Sequence, residues 1–176
     1  MGIEEDKTLQ AVQTAIKMEI DGREYYAKAS QESGNELGRQ LLQKLADEED
    51  IHRRKFEQIY DTFRLKKGWP VVTLETDEAQ SLRTIFKQAV NKLGAQVKIL
   101  DTELGAVQKA MEMENKTYDF YQKRTGEANY AAERDFYGAL MIQERGHHQA
   151  LMDYYDYLKD PAGYFVRTEH PSLDGG

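Results

Sequence analysis

Apolar residues recur along this chain in steps of three and four, in four long runs, with a short polar break inside each pair and a longer connection between the pairs. Leu9, Val12, Ala15, Ile16, Glu19 and Tyr26 fall on one helical stripe, with Asp6 placed as an N-cap and the Ser30 to Asn35 loop as a stop. They predict a first helix from about residue 6 to residue 30. Leu42, Leu45, Glu49, His52, Phe56 and Ile59 predict a second, with the alternating spacing of a bundle seam, ending before Gly68-Trp69-Pro70. A third opens at Asp101 with Leu104, Val107, Ala110, Met111, Glu114 and Tyr121 on its stripe, and a fourth carries Tyr137, Leu140, Glu144, His147, Leu151 and Tyr154. Between the pairs, Trp69-Pro70-Val71-Val72 reads as extended, and Leu82, Ile85, Phe86, Ala89 and Leu93 predict a shorter amphipathic helix ending near Gly94.

The two pairs are copies. AVQTAIKMEIDGREYY at Ala11 to Tyr26 lies over AVQKAMEMENKTYDFY at Ala106 to Tyr121, and LADEEDIHRRKFEQIY at Leu45 to Tyr60 lies over LMIQERGHHQALMDYY at Leu140 to Tyr155. Glu19, Glu49 and His52 thereby recur as Glu114, Glu144 and His147, each displaced by 95 residues, as from 19 to 114. A short loop within each pair makes its helices antiparallel neighbours, and the long crossover lets the second hairpin pack as a copy of the first. The expectation is one all-α domain over residues 1–176, a four-helix bundle with a pseudo-two-fold axis. Its parts are hairpins at 6–63 and 101–158, a crossover at 64–100 and a tail at 159–176 that docks by Tyr164 and Phe165.

A hydrophobic content of 40% over 176 residues suffices for a substantial core. Lys and Arg number 24 against 31 Asp and Glu, a net charge of −7 that disfavours nucleic-acid binding. No stretch approaches the roughly 20 apolar residues that span a bilayer, and MGIEED lacks the basic and then apolar run of a secretory signal, so the expected location is the cytoplasm with no membrane partner. With no cysteine, disulfides, thiolate metal sites and thiol catalysis are excluded, and any metal must take N and O ligands.

Glu19, Glu49, His52, Glu114, Glu144 and His147 lie on the apolar stripes, where a seam needs Leu or Ile. An isolated carboxylate there costs several kcal/mol or takes up a proton, so four of them must be paired, hydrogen-bonded or bound to cations. In Glu-x-x-His on a helix, both side chains project from one face, one turn apart, and can reach one ion. Four carboxylates balance two divalent ions, and two imidazoles complete the coordination set. This is the ligand pattern of dinuclear carboxylate bundles, and iron leads as the metal, with manganese or zinc as competitors. A lone Glu-x-x-His reads most simply as a core or surface histidine; its duplication does not. Tyr26 and Tyr121 follow Glu19 and Glu114 by two turns, as core aromatics or as phenols bonded to metal-bound carboxylates. Gly22 and its counterpart Thr117 sit one turn beyond the same glutamates, where space or a hydroxyl could face a small oxidant. Glu48 and Glu112 read as solvent-facing, and His148 and His170 as outer or surface residues.

At the ordered set Glu, Glu-x-x-His, Glu, Glu-x-x-His with its two tyrosines, the chain resembles the rubrerythrin branch of the ferritin-like superfamily, over about Leu9 to Leu158. The resemblance implies two irons, with Glu19 and Glu114 mainly terminal, Glu49 and Glu144 bridging, and His52 and His147 each on one iron. It also implies reduction of hydrogen peroxide or dioxygen. Two departures stand out: these residues hold no cysteine for a rubredoxin-type relay, and Thr117 stands where rubrerythrins carry a further carboxylate. Electrons are therefore expected from an external donor such as a rubredoxin-type protein, with the chain as a homodimer. The competing functions are ferroxidase with iron storage or delivery, and a non-catalytic metal-binding bundle.

Overall fold

The computed structural model describes residues 2–65, 68–74 and 78–169. It is all helical: α1 (Ile3–Glu32), α2 (Glu36–Arg64), α3 (Glu78–Leu93), α4 (Asp101–Glu127), α5 (Ala131–Lys159) and α6 (Pro161–Glu169). The most extensive contacts join α1 to α2 and α4 to α5, the two hairpins of the duplicated sequence, while α3 leans on α2 and α5. The fold is the all-α ferritin-like bundle with a helix in its crossover. Among the described residues, no helix is long and apolar enough to cross a membrane.

Two local expectations change. Asp6 lies inside α1, whose N-cap is Gly2; the Gly2 N–H donates to Glu5 Oε2 at 2.8 Å, so the first turn is closed by an acidic side chain from within. The third long helix does open at Asp101, as α4, with Leu100 as its cap and the Leu100 N–H donating to Glu103 Oε2 at 3.2 Å in the same manner. The tail contains a helix, α6, and its Tyr164 ring stands edge-on to Phe86 and Tyr157, each at 5.7 Å between centroids. That is the aromatic docking expected of Tyr164; the Phe165 side chain and His170 lie outside the described residues.

The core has two parts, and their order along each helix places what lies between them. On α1, Leu9, Val12 and Ala15 precede Glu19 and pack with Phe56, Ile59, Tyr121, Phe136, Tyr137 and Leu140. Tyr26 follows Glu19 and packs with Leu41, Leu42, Leu45, Val107, Ala110, Leu151 and Tyr154. Each long helix thus passes from one apolar cluster to the other through its glutamate at mid-length. The clusters differ in kind, because Phe56, Phe136 and Tyr137 of one correspond by the offset to Leu151, Leu41 and Leu42 of the other. Residues 68–74 form neither helix nor strand, and Trp69 closes the aromatic end against Phe63, Phe136 and Tyr137.

A polar knot ties the hairpins at the leucine-rich end. Asn35 caps α2, its Oδ1 accepting from the Gly38 N–H at 2.8 Å, while its amide donates to Glu103 at 3.1 Å and to the Tyr154 hydroxyl at 3.0 Å. Ser33 and Tyr154 both donate to Glu103 Oε1, at 2.5 and 2.8 Å. A buried carboxylate with this many donors has its lone pairs occupied, so the knot costs little to bury. Gly38 makes it possible, since a Cβ there would run into the Ser33 and Tyr154 hydroxyls.

Glycine to alanine within a helix ordinarily stabilises by about 0.5–1 kcal/mol. Gly38→Ala is expected to reverse that sign and cost about 1–3 kcal/mol, the range for overpacking a filled site. Urea denaturation of the two proteins measures the difference, and a variant as stable as its parent would show that the knot yields without cost.

Candidate metal centre

Glu19 comes from α1, Glu49 and His52 from α2, Glu114 from α4, and Glu144 and His147 from α5. All six are from 0 to 4% exposed, too little for water to screen their charges. The helical periodicity that buries Leu45 and Phe56 also buries Glu49 and His52 between them, since all share the α2 seam. The structure brings the six together in two groups: Glu19, Glu49, His52 and Glu144 in one, and Glu49, Glu114, Glu144 and His147 in the other, each with ligand atoms within 4.8 Å of one another.

Glu49 and Glu144 belong to both groups. Glu49 directs Oε2 to His52 Nδ1 at 3.7 Å and Oε1 to His147 Nδ1 at 3.2 Å. Glu144 does the same, with Oε1 3.5 Å from His52 Nδ1 and Oε2 3.6 Å from His147 Nδ1. Glu19 Oε2 serves only His52, at 3.4 Å, and Glu114 Oε2 serves only His147, at 3.6 Å. The two imidazoles face each other nearly parallel, 5.7 Å apart with 15° between planes. Glu19 Oε2, Glu114 Oε2, both oxygens of Glu144 and both Nδ1 atoms are buried without a hydrogen-bond partner. Buried polar atoms are ordinarily satisfied, so six convergent orphans of this chemistry fit a cation-binding cluster with N and O ligands.

The opposite faces of these side chains are held. The Tyr26 hydroxyl donates to Glu114 Oε1 and the Tyr121 hydroxyl to Glu19 Oε1, so each tyrosine secures the glutamate of the other hairpin. His52 Nε2 lies 2.5 Å from Gln143 Oε1, and His147 Nε2 lies 2.7 Å from Glu48 Oε2. Glu48 is therefore not solvent-facing as the sequence suggested: it is fully buried, against α5, and only Glu112 is exposed. Gln143 was likewise missed. The available signal was their shared place, each directly before a cluster glutamate and 95 residues apart, as from 48 to 143. Thr117 does not face the cluster with its hydroxyl, which donates to the Met113 carbonyl at 3.1 Å on its own helix. His148 is part-exposed and belongs to neither group.

Burial and the neighbouring Glu49 charge push Glu19 up to about 8. Burial, with Glu49 and Glu114, likewise drives Glu144 well above the carboxylate range. Burial opposes ionisation of Glu49 too, but the close approach of Glu19, His147 and His52 outweighs it and holds this carboxyl low. Burial would lower His52 and His147, yet the nearby carboxylates, Glu19 at one ring and Glu114 at the other, raise both well above the ordinary imidazole value. Burial raises Tyr26 and Tyr121 far above 10.0, so both remain protonated donors. Without a metal ion the cluster balances its charge with protons.

Compared with protein-family models, residues 10–155 match the family described as Rubrerythrin. No curated protein and no solved structure matches the chain.

A folded-state pKa above the unfolded one stabilises at low pH and ceases to do so as pH rises through it. For Glu19 that window runs from 4.5 to about 8; Glu144, His52 and His147 act in the same direction, and Glu49 alone opposes them. The metal-free protein is therefore expected to lose stability across this window, less so in Glu19→Gln, while a divalent ion, which displaces the protons, stabilises it increasingly as pH rises. Scanning calorimetry with and without metal at the two ends of the window measures both effects. Metal stabilisation that shrinks with rising pH would contradict the charge balance.

Proposed function

This chain belongs to the rubrerythrin family, and from that premise we propose that its buried cluster holds two iron ions and reduces hydrogen peroxide, or more slowly dioxygen, with electrons from an external donor. The observation that carries the reading is that Glu49 and Glu144 each direct one carboxylate oxygen to each histidine. Two carboxylates so placed suit a pair of ions better than a single one. Glu19 with His52, and Glu114 with His147, then complete one ion each.

When bound, a ferrous pair supplies the two electrons that, with two protons, convert peroxide to water. The chain's own groups set the conditions for that exchange. Tyr26 and Tyr121 keep their protons and act as donors, fixing Glu114 and Glu19 by one oxygen and leaving the other for the ion. Two apolar clusters flank the site and exclude bulk water. A Cβ at Gly22 would touch Glu49, 3.5 Å from its Cδ and Cγ, so glycine leaves that carboxylate room to shift as charge changes. These residues contain no cysteine, so no thiolate-ligated relay is among them, and the reading takes its electrons from a separate protein such as a rubredoxin-type donor. It also takes the working unit as a homodimer.

Protein purified without added metal is expected to contain two irons per chain, and Glu49→Ala to lose them, as read by metal analysis. Stopped-flow mixing of the anaerobic diferrous protein should show faster oxidation by peroxide than by dioxygen. Oxidation by peroxide that is no faster sinks the peroxidase reading, and a hollow many-chain shell in light scattering would favour iron storage in its place.

A further inference from the structure

The duplication breaks behind the two histidines. Glu48 and Gln143 occupy one position of the repeat, and each reaches across to the histidine of the other hairpin. The same offset pairs Lys44 with Ala139. Lys44 Nζ lies 3.3 Å from Glu48 Oε1, so His147 is backed by an ion pair, whereas His52 is backed by a neutral amide. The carboxylates of Glu19, Glu48, Glu49, Glu114 and Glu144, two divalent ions and Lys44 would together sum to zero charge.

Two consequences follow from the chemistry of these groups. The Glu48 carboxylate, paired with Lys44, accepts from His147 Nε2, so a metal that displaces one proton from this ring takes the one on Nδ1, the nitrogen that faces Glu49, Glu114 and Glu144. Gln143 presents its amide oxygen to His52 Nε2 in the same sense, but a neutral acceptor holds that proton, and so frees Nδ1, less firmly than a carboxylate does. In addition, a negative group behind an imidazole strengthens its opposite nitrogen as a ligand, and does so more than an amide carbonyl can.

Resting on the two-metal reading, we propose that the two subsites are unequal: the first ion loads beside His147 and Glu114, with Glu48 as the positioning residue, and the ion beside His52 and Glu19 loads second and leaves first. The asymmetry resides in the chain itself and acts before any oxidant arrives.

Zinc titrated into the metal-free protein, followed by the imidazole nitrogen resonances in NMR, reads each histidine separately. The His147 signals are expected to reach their bound position near the first equivalent and those of His52 during the second. Glu48→Gln should erase this order and weaken the first step by about 10–100-fold, the usual effect of removing such a partner. His52 responding first, both responding together in the parent protein, or an unchanged order in Glu48→Gln overturns the proposal. Should Glu48→Gln fail to fold, as circular dichroism would show, the order in the parent protein decides alone. Zinc bound at neither histidine overturns the two-metal reading and this proposal with it.

Discussion

Four carboxylates and two imidazoles buried at the middle of a helical bundle impose the condition that the rest of this structure meets. Charges removed from water cost several kcal/mol each unless matched, and taking away one partner of a buried set costs about 3–5 kcal/mol because the others remain. The chain meets that cost with protons when no cation is present and is arranged so that cations can replace them. Glu19, raised to about 8, and the elevated histidines are the proton-loaded side of that exchange. The apolar clusters on either side make the exchange necessary, since they deny the cluster the water that would otherwise solvate it.

The same condition makes folding and site assembly one event. Helices α1 and α4 touch far less than each touches its hairpin partner. Yet the bonds that secure the cluster run between hairpins: Tyr26 to Glu114, Tyr121 to Glu19, Gln143 to His52 and Glu48 to His147. Each hairpin leaves the Oε1 of its first cluster glutamate and the Nε2 of its histidine to be met by the other. Docking of the two halves supplies the missing partners and, with the Asn35, Glu103 and Tyr154 knot at one end, fixes their register.

This explains how far the sequence could be read. The helices and the six cluster residues were legible because a seam position that carries Glu or His in place of Leu violates the hydrophobic period, and the repeat shows the violation twice. Glu48 was not legible, because a residue next to a seam residue points about 100° away and looks solvent-facing on a single stripe. In a bundle each helix has two neighbours, and the arc of Glu48 faces α5 in place of water. The start of α1 escapes for a different reason: Glu5 inside the first turn closes the end, so Asp6, the stronger cap former, lies within the helix.

The differences between the halves follow from the same electrostatics. Changing one of the six cluster residues would leave a buried charge unmatched, and these six are identical across the repeat. The apolar surroundings have diverged freely, with Phe56, Phe136 and Tyr137 at one end where the other has Leu151, Leu41 and Leu42, because either filling excludes water. Behind the histidines the change is paired: a glutamate comes with its lysine, and a glutamine comes with an alanine. Each combination is neutral by itself, so the exchange alters how firmly a histidine is set without disturbing the total charge of the core. A duplicated metal site can become asymmetric at low cost only in this layer, one residue outward from its ligands.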